Sequence, residues 1–495
     1  MAETGSSLRT QASGQGHLRE RAPQRLRRAT WQREELRTTL WLVPTLLVAA
    51  SVLLFAITYG FDVAAYHGHL SYPFWIRALG ADAARQVLIA IAAAVITVVG
   101  VVFSITILAL TLASQQFGPR MMRNFVRDVG NQLTLGVWVA TFVYSVLALG
   151  SITTGGRRGG FVPDLSITMA EALLFVDVGI LIYFIHHIAK SIQLPEVIAG
   201  IARDLRSAVD AEFPQPAGAG PDGGSGDAEG LATLTGLLDA KGAAIPALES
   251  GYLQFVAFGR LVHIAEDADA VIRLAHRPGH FVVAGRPLGT VFPPQAAPKI
   301  EEALASSHVT GPHRTLLQDP VFAIDQLVEI AIRALSPAVN DTFTALTCID
   351  WLSAGLSQIS GRELAEGIYR DRREQIRLIQ LAPSYERMVN RAFDKIRQAG
   401  GAMPAVVIRL LDAITHVVER TVAGSQRAVL ALQADMILAA ADRAVVEPRD
   451  RSDIRARYDH LTTTIGRLDA HDAADNRRDL DRRAQSLSGP IAGDR

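Results

Sequence analysis

Asp177 is the first residue in this sequence whose type and place could do chemistry. It lies inside residues 167–185, an apolar stretch whose only other charge is Glu171 near one end. A carboxylate at mid-bilayer depth costs about 2.5 to 3.5 kcal/mol on insertion scales, so it must face other helices, carry a proton, or hold a cation or basic partner. At about 100° per residue, Asp177 shares a helical face with Ala170, Leu173, Leu181, Phe184 and Ile188. That face offers no polar group, so any partner has to come from another helix. Glu171 points elsewhere and is shallow enough to snorkel toward headgroups.

Two further stripes of small and polar residues follow helical spacing. Thr97, Gly100, Ser104, Thr111, Gln115 and Gly118 fall on one face of one apolar run, and Thr134, Trp138, Thr141 and Ser145 on one face of the next. Such stripes let helix backbones approach closely and hydrogen-bond across an interface. The same residues could line a watery path. Ser104, Thr111 and Gln115 therefore join Asp177 as candidates for handling an ion within the membrane.

A third candidate lies far downstream, in the polar elbow 336–341. Ser336, Asn340 and Asp341 could bind a ligand there, although Asn and Asp are also the ordinary residues of turns and helix caps. His186 and His187 are adjacent, so on a helix they diverge by about 100° and cannot grip a metal together. Gly279, Gly285 and Gly289 lie between strand-like runs with no following Lys-Ser or Lys-Thr pair, which argues for turns over a phosphate loop. No catalytic constellation, nucleotide motif or heme motif is present, and no cofactor is implied.

Four apolar segments must position the first set of residues. Residues 40–59, 87–112, 133–149 and 167–185 are each apolar over about the length a bilayer's hydrocarbon layer requires of a helix. The basic residues Arg19, Arg21, Arg25, Arg27 and Arg28 precede the first, Arg120, Arg123 and Arg127 follow the second, and Lys190, Arg203 and Arg206 follow the fourth. The bias places both termini on the cytoplasmic side. No cleavable signal pattern follows the early arginines.

Beyond the spans, residues 189–213 have the period of an amphipathic helix, and 214–230 have the Pro and Gly content of a linker. Strand-like runs at 252–258, 270–275, 280–284 and 290–292 predict a small β-rich module over 231–298. From residue 299 to 470 helical periodicity dominates. Asp319 and Pro320 are placed to start one helix, and Asp341 to cap the next, over 342–356. A long helix is expected over 405–441, and a polar, disordered tail over 471–495. The organisation is thus a basic tail (1–38), a four-helix transmembrane domain (39–188), a connecting helix and linker (189–230), the β-rich module, a helical domain and a tail. The fold class is a polytopic α-helical membrane protein with a cytoplasmic α+β domain.

Composition excludes several alternatives. The chain has 495 residues, too many for one core. Lys plus Arg and Asp plus Glu are 49 each, so no bulk attraction to nucleic acid is expected. Cys348 is the only cysteine, which rules out an intrachain disulfide and any cysteine-based zinc cluster.

Two segments carry a family likeness. One begins at Phe103-Ser104 and continues through Ala113-Ser114-Gln115-Gln116-Phe117-Gly118-Pro119-Arg120. The other is Ala334-Leu335-Ser336-Pro337-Ala338-Val339-Asn340-Asp341, ending at Thr344-Ala345. With the Gly279 to Leu288 segment, they resemble the bacterial predicted membrane proteins of the domain of unknown function 2254 family. The likeness spans nearly the whole chain. One departure is Thr342, where the family pattern often has proline, and this bears on helix initiation rather than chemistry. The resemblance implies an inner-membrane location and carries no established activity, cofactor or substrate.

Together these features predict a lipid-embedded homo-oligomer acting as a channel or transport-type protein, its ion or small ligand unspecified. The alternative is a membrane-anchored sensor or scaffold whose cytoplasmic domain binds a ligand or protein partner. Four spans rarely enclose a pathway alone, which is why oligomerisation belongs to the first reading.

Overall fold

A computed structural model describes residues 42–70, 72, 76, 78–117, 129–153, 160–191, 193–213, 225–362, 367–381 and 383–487, without the side chains of 113–117, 225–229, 476 and 479–487. The basic residues before the first span, those from Arg120 to Arg127, and the Gly118-Pro119 interruption lie outside the described residues. The chain forms two compact units that divide between Val197 and Ile198.

Among its described residues the first unit contains four long helices, α1 (Leu42–Tyr66), α2 (Ala81–Phe117), α3 (Val129–Ser151) and α4 (Asp164–Ser191). Each contains a segment long and apolar enough to cross a membrane. Each runs past the segment expected from apolar content at one end or both. α3 packs against α1, α2 and α4. Its apolar window is 44% buried, against 17% to 28% for the others, so it is the central helix. Gly136 lets α1 come close, since a Cβ there would stand 2.6 Å from Leu47 Cδ1 and 3.0 Å from Pro44 Cα. The outer faces are apolar, with Leu53, Phe175 and Ile182 among the most exposed side chains. An exterior of that kind suits lipid rather than water.

The second unit contains most of α5 (Leu194–Glu212), whose buried stripe includes Ile198, Ile201, Leu205 and Val209. Then follow α6 (Ser225–Lys241), β1 (Ala243–Pro246), β2 (Gly251–Val256), α7 (Phe258–Asp267), β3 (Val271–Leu274), β4 (Phe281–Val282), β5 (Pro287–Phe292), α8 (Ala297–Ala305) and β6 (His308–Gly311). The helical part is α9 (Pro320–Ala334), α10 (Thr342–Ser360), α11 (Tyr385–Gly400), α12 (Pro404–Val418), α13 (Gly424–Ala444) and α14 (Pro448–Leu487), with β7 (Ile368–Arg370) and β8 (Ile376–Gln380) between α10 and α11.

The strands form two sheets, β1-β5-β3-β8-β7 and β4-β2-β6. β8 lies parallel to β3, with Ile272 opposite Leu378, whereas the other pairings are antiparallel. Ile272, Leu253, Leu261, Val291, Ile300 and Leu378 share one apolar core.

Four boundaries differ from the expectation. The β-rich module does not end at residue 298, because β6 and the β7-β8 hairpin complete its sheets from later in the chain. The predicted linker 214–230 already turns helical at Ser225, where α6 begins. The helix expected over 405–441 is two helices, interrupted between Val418 and Gly424. The expected disordered tail from residue 471 is helical through Leu487. Ile454 and Leu461 bury one side of α14, and the buried Arg427 of α13 binds Asp469 at 2.6 Å and also Asp472. Those contacts outweigh the polar composition that suggested disorder.

Candidate functional site

Asp177 is 4% exposed, at the middle of α4 and against α3. The Thr141 hydroxyl donates to its Oδ1 at 3.2 Å, and the Trp138 indole N–H donates to its main-chain carbonyl at 3.3 Å. Ser145 turns back to the carbonyl of Thr141. The polar stripe of the third span is therefore the partner the fourth span lacks on its own face. Trp138 also meets Phe184 edge-on at 5.9 Å, closing the apolar surround. Asp177 Oδ2 is buried and has no hydrogen-bond partner among the described residues. A buried carboxylate oxygen without a partner is unfavourable unless it holds a proton or a cation.

The stripe of α2 behaves differently. Thr97, Ser104 and Thr111 are exposed on the outside of the four-helix unit, each hydroxyl donating to a carbonyl one turn back, at 2.7 to 2.8 Å. A Cβ on Gly100 would meet nothing within 4 Å. Asp177 takes its hydrogen bonds from α3 instead. The Gln115 side chain lies outside the described residues.

A second buried carboxylate escapes the sequence reading. Asp62 reads as the charge that ends the first apolar run, yet α1 continues past it and buries it completely. Its oxygens accept from the backbone N–H groups of Leu165 and Ser166 at 2.9 and 3.0 Å, from the Ser166 hydroxyl at 2.7 Å, and from Tyr72 at 2.9 Å. It thus caps the start of α4 from another helix, satisfying N–H groups that the helix itself cannot. Thr58 joins the network through Tyr144 at 2.7 Å and Ser166 at 3.1 Å. The signal was present as Ser51, Thr58 and Asp62, spaced seven and four along one helix face. Unlike Asp177, Asp62 is fully supplied with donors.

In the second unit, the elbow between α9 and α10 spends its polar groups locally. Ser336 donates to the Arg333 carbonyl at 2.7 Å. Asp341 caps α10 through the Thr344 N–H at 3.1 Å and the Thr344 hydroxyl at 2.6 Å. Asn340 adopts φ +51°, a left-handed conformation that Asn tolerates. Asp341 is therefore the cap its position predicts. Asp319 precedes α9 as expected but does not cap it with its side chain, because Arg314 binds that carboxylate at 2.6 Å. No group of three or more metal-ligating side chains is found among the described residues.

A family described as "Predicted membrane protein (DUF2254)" matches this chain over residues 37–416. The chain belongs to the DUF2254 family. Relatives include uncharacterized protein Rv1290c of Mycobacterium tuberculosis and uncharacterized protein Mb1321c of Mycobacterium bovis. Each is 31% identical over 438 residues, covering 87% of this chain and 82% of the relative. No solved structure matches. The DUF2254 match runs through the four apolar helices and on into the second unit as far as His416 in α12.

Proposed function

We propose that this DUF2254 protein is a multi-pass inner-membrane protein, with both termini in the cytoplasm, whose copies assemble into a channel or transport-type pathway. In this reading Asp177 is the ion-handling group and the second unit is a cytoplasmic regulatory domain. The observation that carries it is the Asp177 carboxylate, buried at the middle of α4 with Thr141 on one oxygen and no partner on the other among the described residues. The outward stripe of Thr97, Gly100, Ser104 and Thr111 supports assembly, since small and hydroxyl residues at a membrane helix surface favour helix association.

The test is ion flux in liposomes containing the purified full-length chain, wild type against Asp177→Asn. Flux through the wild type that falls at least tenfold in the variant, with assembly unchanged, supports the reading. Absence of flux of protons or monovalent cations in a wild-type sample that is folded and oligomeric sinks it.

A second reading, a membrane-anchored sensor or scaffold, is favoured by the surface beside the elbow, where Phe343 is 83% exposed and Val339 54% exposed. Solvent-facing groups of that size suit a protein partner. Function preserved when the second unit is attached to an unrelated membrane anchor would favour this reading over transport.

A further inference from the structure

The second unit holds an arginine without a counter-ion among the described residues. Arg277 sits in the turn between β3 and β4 and lines a small cleft with Gln318, Asp319, Tyr369 and Gln380. Its Nε donates to His280 Nε2 at 3.1 Å. Its guanidinium forms no ion pair with a carboxylate among the described residues. Nearby acids are committed elsewhere. Asp319 binds Arg314, while Asp325 of α9 binds both Arg314 and Arg391. Glu212, at the edge of the cleft, also has an interaction of its own.

The charges around Arg277 are unbalanced. Burial pushes its guanidinium below the usual range, and the positive charges of Arg387, Arg314 and Arg391 act in the same direction against the single opposing pull of Asp319. His280 is pushed down to about 4 by burial and then by Arg277, so near neutrality it is an uncharged acceptor and does not add to the positive charge. Its acceptance of the Arg277 Nε–H fixes the guanidinium while leaving the terminal N–H groups available. A planar, oriented fork of this kind matches oxyanions bidentately. The backbone has been fitted to the place as well. Gly279 adopts φ +91°, and a Cβ there would run into the Asp319 carboxylate. A site that keeps a half-buried cation unpaired among the described residues, beside a turn where a Cβ would collide, is spending stability on something other than folding.

We propose that the cleft beside Arg277 binds a phosphate-class oxyanion, either free phosphate or the terminal phosphate of a small metabolite. Arg277 is the fixed anchor, and Arg387, exposed on α11, is the second, adaptable cation. The proposal is independent of the transport reading, since it concerns only residues of the second unit and its assay does not require flux.

Equilibrium dialysis of the purified full-length protein in detergent against radiolabelled inorganic phosphate, at constant ionic strength in chloride, tests it. Saturable binding of one phosphate per chain is expected, weakened at least about tenfold in Arg277→Gln, the loss equivalent to one charge-assisted hydrogen bond. Arg387→Gln, a surface change that leaves the fold intact, should weaken it severalfold. Arg409→Gln, which disrupts a separate pair with Asp350, should leave it unchanged. Glycerol 3-phosphate competing more tightly than phosphate would assign the site to a metabolite, and weaker competition would assign it to the free anion. No saturable phosphate binding, binding unaffected by both Arg277→Gln and Arg387→Gln, or displacement by citrate but not by phosphate esters would overturn it.

Discussion

Gly279 and Asp319 pack so closely that a Cβ on the glycine would collide with the carboxylate of the aspartate. The contact joins the β3-β4 turn to the residue that starts α9. Gly279→Ala must introduce the collision and also hold an alanine at φ +91°, so it is expected to destabilise the second unit by about 2 to 4 kcal/mol. Thermal unfolding of the full chain, followed by circular dichroism, measures this. A change under about 0.5 kcal/mol, the usual range of neutral surface substitutions, would mean that Asp319 moves aside freely.

Asp62 is expected to matter for stability rather than for transport. Removing it in Asp62→Ala leaves the first N–H groups of α4 and the Ser166 and Tyr72 hydroxyls without their acceptor. The cost is expected to be about 3 kcal/mol, since several buried donors lose a partner at once. Denaturant titration in micelles would register it, and Asp62→Asn should recover part of the loss because the amide oxygen can still accept.

Thr141→Val removes the hydroxyl that reaches Asp177 and little else. Hydrogen bonds between membrane helices average about 0.6 kcal/mol with a maximum near 1.7, so a small loss of bundle stability is expected. A large effect on ion flux with that small effect on stability is the combination to look for. Equal and minor changes in both would make the contact merely structural.

His280 gives a signed pH dependence. Burial, reinforced by the charge of Arg277, lowers it from its usual 6.5 to about 4. Between those values the unfolded chain binds a proton that the folded chain refuses, so stability is full above pH 6.5 and is lost as pH falls toward 4. The total is at most about 3 kcal/mol. Unfolding midpoints of wild type and His280→Gln measured from pH 7 to pH 5 should diverge, with the variant curve flatter. Parallel curves would mean that the imidazole titrates normally.

The elbow supplies a smaller test. Asp341→Ala should cost about 1 kcal/mol through loss of the α10 cap. Chemical denaturation reads that directly, and a ligand role for Asp341 would require a binding defect that Asp341→Ser, which can still cap, does not repair.

What the sequence disclosed follows from which forces act locally. The four apolar helices were legible because length and apolarity are properties of a continuous segment, and the Asp341 cap because it acts three residues ahead of itself. Val321, Ile324, Leu327, Val328 and Ala331 recur at helical spacing along α9, and all five are buried. Asp319 was read as a cap because its position fits one, but Arg314 sits close enough to take the carboxylate first. Asp62 is not legible because most of its donors come from about a hundred residues away, and the cationic cleft because Arg277, Arg314 and Arg387 come from the β3-β4 turn, the loop before α9, and α11. The need for a partner at Asp177 could be stated from its own helix, whereas the identity of that partner required α3.

The parallel pairing of β3 with β8 imposes an order on how the protein can be made. Ile272 must wait for Leu378, about a hundred residues later, which at ordinary synthesis rates is roughly 5 to 20 seconds. Through that interval one edge of β3 is an open row of N–H and C=O groups on a chain still being translated. Fragments that stop short of Gln380 would keep it open permanently. The sheet that holds Ile272 is therefore complete only once Gln380 has left the ribosome.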